Sequence, residues 1–409
     1  MAVESALGTP GSYVDQRASD TNPSFPTETR KTKSVPHQNA EHWATREAQL
    51  IYEGLSEGVA TVPKFIARPT TGTADPSIAT LFEAMGCNVV TSAKTTLDGY
   101  TGLGGFSLAA DAAAIGQAGL LELDSGAFHP CLVSGYSGAA AYDVVPAMGI
   151  PTQSSIGNDW DIMTTITPRV RQVPTDKTLA FRVVDRDVHT ANETAWVHTG
   201  CAPASVADVT FAPNTAPELS FSISVGDTAG PDDITIANET YQDSSKFAIV
   251  DGPGAFKFSL ATYADPVATA SETEMISAIW TPGIVTVPIP SCGSTDTLNG
   301  NAGYMSKYEG SKIIAEMLVL KDFWTDFEGS NPAKYISLVQ QTTNVSNTAF
   351  GLWMPQCRIV GSPTTDPYAD ENYMRVKVTF EPTTADYGSD TSTDYAGAAP
   401  WMLAISGEG

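Results

Sequence analysis

The sequence predicts a mainly β protein: one or two tandem sandwich- or barrel-like β modules, each with a short flanking α-helix, plus an extended N-terminal arm. Three observations lead there. Residues 219–225 alternate Leu, Ser, Phe, Ser, Ile, Ser, Val, so Leu219, Phe221, Ile223 and Val225 share one face and Ser220, Ser222 and Ser224 the other. That is a strand half in a core and half in water. Strand-length apolar runs recur along most of the chain, and helical periodicity is confined to two short stretches near residues 75–86 and 322–328.

Taken in order, residues 1–45 are rich in Ser, Thr, Pro and Asn and lack apolar periodicity, the composition of an extended arm. Its only basic cluster is Arg30, Lys31 and Lys33, which fits either a solvated tail or an arm docking on an acidic neighbour. Strands are expected at 48–52 and 59–67, with Pro63 marking an edge or a strand start. A helix follows: Asp75 as N-cap, Pro76 at the first position, Ile78, Leu81, Phe82 and Met85 at helical spacing, and Gly86 as terminator. Residues 87–160 read as a loop-rich insertion, Gly-, Ala- and Ser-rich, with candidate strands at 106–108 and 120–123 and a short helix at 109–115. Strands at 161–166, 178–184 and 194–197 lead into 207–211 and 219–225, which read as an antiparallel pair.

Residues 228–245 have the Asp, Asn and Pro content of a linker or long loop. Beyond it, strands are expected at 247–250, 256–260, 275–280, 284–289 and 312–320, then a short helix at 322–328 and a strand at 335–340. Another strand carries Cys357, and Met374, Val376, Val378 and Phe380 alternate with Arg375, Lys377 and Thr379. Cys201 precedes Leu219 by 18 residues and Cys357 precedes Met374 by 17, and both halves place a strand before a helix. This is the pattern of a diverged tandem duplication, dividing the chain into an arm (1–45), a first β module (46–230) and a second (231–409).

A length of 409 residues supplies ample core for such modules. The net charge of −24 is uneven: residues 1–70 hold seven basic and eight acidic residues, so almost all of the excess lies beyond them. No Lys or Arg occurs between Lys94 and Arg169. Such a surface repels nucleic acid, since binding phosphates needs clustered cations. Solubility, or a halophilic or marine host, explains the acidity equally well. No run of about 18 apolar residues is present to span a membrane, and the first residues have no basic segment followed by an apolar one, so a cytosolic origin is expected. Cys87, Cys131, Cys201, Cys292 and Cys357 are far apart and without CxxC spacing, which predicts reduced, mostly buried thiols.

No chemistry-bearing motif assembles in the sequence. Asp185, Asp187 and His189 lie two apart, as ligands on one strand face would, but a polar strand running into a turn looks the same. Asp227, Asp232 and Asp233, and Asp366, Asp370 and Glu371, resemble calcium loops in composition without the spacing. Ser137 in Gly135–Ala139 lacks the closing Gly of a nucleophile elbow, and His37, His42, His129, His189 and His198 stand at no triad spacing. The cluster Gly99, Gly102, Gly104 and Gly105 matches no phosphate loop and reads as a loop needing positive φ. Trp280, Trp324 and Trp353 read as core or interface. No catalytic residue, cofactor or metal is therefore expected, and the chain is not expected to be an enzyme.

One strand ends in Thr199-Gly200-Cys201, a second carries Asp208, and after a short turn comes the alternating Ser/apolar strand. This order resembles the tail tube (major tail) proteins of long-tailed bacteriophages, over most of the chain after about the first 40 residues. The resemblance implies a structural virion protein, made in the host cytoplasm, that self-associates into rings stacked as a tube. DNA would pass along the acidic lumen without specific binding, and other tail proteins would be partners. Within that family a duplicated module implies a trimeric, pseudo-hexameric ring, and a single elaborated module a hexamer. Other virion components (a tail terminator, a capsid decoration protein, a secretion-type tube) and a β-sandwich glycan-binding module are the alternatives. The chain departs from the family in its length and in the insertion, which carries no family motif.

Overall fold

The computed structural model describes residues 1–11, 23–26, 32–35, 50–53, 58–65, 76–90, 94–102, 105–108, 118–123, 128–138, 141–145, 156–186, 193–213, 215, 217–234, 256–263, 271–290, 301–330, 333–340, 350–367, 372–383 and 399–405. The first elements are β1 (Ala2–Ala6), β2 (Thr9–Pro10), β3 (Thr32–Val35), β4 (Leu50–Glu53), β5 (Gly58–Phe65), α1 (Pro76–Ala84) and β6 (Asn88–Val90). An inserted set comprises β7 (Lys94–Gly102), β8 (Gly105–Leu108), β9 (Ala118–Leu123), β10 (Phe128–Gly138), β11 (Ala141–Val145) and β12 (Ile156–Ile162). Next come β13 (Thr164–Thr167), β14 (Val173–Pro174), β15 (Leu179–Arg186), β16 (Glu193–Val206), β17 (Val209–Phe211), β18 (Glu218–Val225) and β19 (Asp227–Ile234). The remainder is β20 (Phe256–Thr262), β21 (Ser271–Thr281), β22 (Ile284–Pro290), β23 (Asn301–Tyr308), β24 (Lys312–Leu320), α2 (Lys321–Ser330), β25 (Lys334–Gln340), β26 (Phe350–Pro367), β27 (Tyr373–Pro382) and β28 (Met402–Ile405).

The protein is mainly β. Its first sheet runs β14-β23-β22-β16-β15-β1-β2, with β18 and β19 also paired to β16 and β5 paired to β18. The second runs β25-β20-β21-β24-β27-β26-β28-β13-β6; because β25 also pairs with β26, the six strands from β25 round to β26 close on themselves. One continuous apolar core joins the two sheets, from Ala60, Phe221 and Cys201 on one side to Trp280, Met317, Phe380 and Leu403 on the other. Strand alternation builds it: β18 and β24 bury every second residue. The halves on either side of residue 230 share both sheets, since β22 and β23 lie in the first while β6, β13 and β17 lie in the second.

Helix α1 forms where the sequence signals it. Ile78, Leu81, Phe82 and Met85 are buried, and Phe82 meets Phe221 and Trp401 edge-on at 5.3 and 5.9 Å. Gly86 ends it at φ +82°, a backbone that L side chains rarely adopt, and Cys87 N–H closes back on the Phe82 carbonyl. Helix α2 closes the other end of the core through Trp324 and Phe327. Buried Lys334 donates to the Phe327 carbonyl and lies 4.5 Å over its ring, which satisfies a helix-end acceptor with a cation.

Several expectations are corrected. Strands 207–211 and 219–225 do not pair: β17 crosses to β21 in the second sheet, because both edges of β18 are taken by β16 and β5. Residues 228–234, expected within a linker, belong instead to β19 (Asp227–Ile234), paired with β16. The insertion is not loop-rich but a closed barrel, β10-β11-β8-β7-β12-β9, leaving and rejoining the body through the paired β6 and β13. Its small residues hid the alternation; Leu121, Cys131, Val133, Tyr142 and Val144 are buried. Gly99, Gly102 and Gly105 lie in its bulged β7–β8 ladder, not in a loop. Part of the expected arm is built in: β1 and β2 pair at the edge of β15, and β3 pairs with β4. The helix at 109–115 and the strand at 247–250 fall outside the described residues.

Candidate functional site

Two places on the first sheet concentrate features that the core does not explain. One is an outward sheet face. On β18 the outward residues are Glu218, Ser220, Ser222 and Ser224, all half-exposed; opposite them on β5 stand Pro63, Thr61 and Val59. Ser205 of β16 pairs with Ser222 on the other side. Along the β5–β18 ladder the exposed and half-exposed positions are Ser220, Ser222, Ser224, Thr61 and Val59, with Glu218 at the rim, buried Pro63 opposite Ser220, and no Lys or Arg among them. Lys64 is no exception, because it is fully buried on the inward face beside Leu219. Among these residues there is no cation that would hold a phosphate.

The other place is where the N-terminal segment is fastened. The buried Glu4 carboxylate accepts from Thr178 Oγ1 at 2.6 Å, Gly200 N at 2.7 Å and Gly8 N at 3.0 Å. Gly200 adopts φ +60° and its carbonyl accepts from Tyr304 at 2.6 Å. Further on, Ser24 exchanges two backbone hydrogen bonds with Thr61 of β5, and the Phe25 ring stacks on His198 at 4.7 Å. His198 shares a 2.9 Å hydrogen bond with Thr228 through Nδ1, while its buried Nε2 has no partner. Burial lowers the imidazole pKa to about 4, so His198 is neutral at neutral pH.

The candidate ligands and nucleophiles do not converge. Asp185 lies on β15, Asp227, Asp232 and Asp233 on β19 and Asp366 on β26, in strands instead of loops; Asp187, His189, Asp370 and Glu371 are outside the described residues. No group of three metal-binding side chains occurs among the described residues. Ser137 sits within β10, not at a strand-to-helix turn. Of the histidines, His129 is on β10 and His198 is packed, while His37 and His42 are outside the described residues. Cys87, Cys131, Cys201 and Cys357 are buried free thiols, and burial pushes each pKa up, away from thiolate chemistry. Trp280, Trp324 and Trp353 are core residues. The serine face was legible from alternation; the anchor at Glu4 and Phe25 was not, because its partners lie 174 and 196 residues away for Glu4.

No protein-family model matches the chain, and no curated protein matches it. No helix among the described residues is long and apolar enough to cross a membrane.

Proposed function

We propose that this chain is a structural subunit that self-associates into rings stacked as a phage-type tail tube, with DNA passing through the lumen. The observation that carries the reading is the cation-free hydroxyl face of β5, β18 and β16 on a chain of net charge −24. A wall against which DNA must slide needs low affinity for phosphate, and Ser220, Ser222, Ser224 and Thr61 offer none of the clustered cations that binding requires. The strand expected to end at Cys201 instead runs on as β16 to Val206, and β17 pairs with β21 and not with β18, so the order of elements around Cys201 differs from the one the resemblance rests on. The single core shared by both sheets favours one elaborated module, and with it a sixfold ring. The test is negative-stain electron microscopy of the concentrated protein, with end-on views classified by symmetry. Stacked rings with a hole wide enough for duplex DNA are the expected result. Rings that never polymerise would favour a terminator or decoration role, and a monomer at every concentration would refute the assembly reading.

A further inference from the structure

We infer that the inserted barrel is a hinged module, which swings off the body as a folded unit and uncovers the face of β20, β25 and β26 that it shields when closed. Both chain crossings between barrel and body lie side by side: β6 leads into β7, β12 returns into β13, and Val90 and Thr165 at those roots are paired. Adjacent crossings at one end of a module make a hinge, because a few residues beside them can absorb the rotation while the ladders on either side stay intact. The contact that holds the module closed is separate from the main core. Alternation turns Cys131, Val133 and Val144 into the barrel and leaves Leu132 and Val145 on its outer wall, in register with each other and with Ala118. That wall packs on Ala261, Tyr335, Val339, Trp353 and Met402 in a satellite cluster.

Polar groups are trapped under the barrel. Ser259 of β20 stands directly opposite Ser337 of β25, and Tyr335 lies on the same face of β25 as Ser337. All are at most 2% exposed, yet Ser259 Oγ, Ser337 Oγ and Tyr335 OH have no hydrogen-bond partner. On the other side of Ser337 stands Trp353 of β26, whose indole lies against Gly351 and donates to the Val145 carbonyl of the barrel at 3.0 Å. That bond is the latch. Closure strips water from the three hydroxyls without replacing it, and opening returns a partner to each. A face that is always sealed gains by being apolar, whereas one that is wetted in turn keeps groups that water can satisfy. The motion needs no partner chain and does not depend on ring assembly.

Native-state thiol labelling of the full-length chain reads the motion, with peptide mass mapping to separate the sites. Ser337→Cys places a thiol under the barrel, and Ser259→Cys on the facing strand is the second reporter if the first does not fold. The free thiols supply the references: Cys131 inside the barrel, Cys201 and Cys357 in the main core. The thiol of Ser337→Cys is expected to react at least about a hundredfold faster than Cys357, at a rate that low urea leaves unchanged, while Cys131 stays as protected as the core. Adding Trp353→Phe removes the latch and should raise that ratio on the order of tenfold; adding Ser259→Ala, which takes away an orphaned hydroxyl, should lower it. A thiol at position 337 that reacts only in step with Cys357 would overturn the inference, because the face would then open only with global unfolding. Labelling of Cys131 in step with position 337 would overturn it too, since the barrel would be melting in place instead of swinging.

Discussion

His198 is a buried base whose second nitrogen finds no partner, which ties stability to pH through one side chain. Its folded pKa, about 4, lies below the ordinary value of 6.5, so the unfolded chain binds the extra proton between those limits. The linked stability is complete above pH 6.5 and is lost as pH falls through 4, by on the order of 3 kcal/mol. Urea unfolding at pH 7 and pH 4.5 should show a smaller pH difference in His198→Asn than in wild type. Glu4→Ala removes the acceptor of three hydrogen bonds and should loosen the N-terminal hairpin, read as faster proteolysis within residues 1–26 and a loss of about 1–3 kcal/mol. Gly351 is a third sensitive point. A Cβ there would overlap the Trp353 indole, which is fixed by its bond to the Val145 carbonyl, so Gly351→Ala should lower the melting temperature more than a surface change does.

Among elements, α1 shows what a sequence can announce by itself. Its cap, spacing and terminating glycine are local, and Phe82→Ala is expected to cost about 3–5 kcal/mol in equilibrium unfolding because the ring touches Phe221 and Trp401. Strand β24 was equally plain, since residues 312–320 are an apolar run of strand length interrupted only by Glu316 after Lys312. What stayed hidden was pairing. β17 reads as the partner of β18 until β5, some 150 positions earlier, is seen to occupy that edge. The strand β23 carries Asn301, Gly303, Ser306 and Lys307 among its eight residues and shows no apolar rhythm, and β28 is only four residues long. Half of the candidate site was thus legible: the serine side of β18 follows from alternation, while its continuation onto β5 depends on a long-range ladder.

At the scale of the molecule, the inserted barrel is the most separable part. It departs after β6 and returns at β13, whose residues Val90 and Thr165 are paired, so a short linker can bridge the gap. Replacing residues 94–162 with such a linker should leave the two-sheet body folded by circular dichroism. The melting temperature should fall, because Trp353 and Met402 lose their packing against Leu132 and Val145. Loss of all cooperative unfolding would show instead that barrel and body form one unit.

The short strand β28 has a consequence in time. It lies between β26 and β13, and Trp401 just before it reaches the core beside Trp280 and Phe82. The second sheet therefore cannot be finished until residues 401–405 have left the ribosome, more than two hundred residues after β13 was made. Until then β13 and β26 expose edges that any neighbouring nascent chain can pair with. Completion by a late, four-residue strand leaves the closing of this sheet to the end of the chain's synthesis.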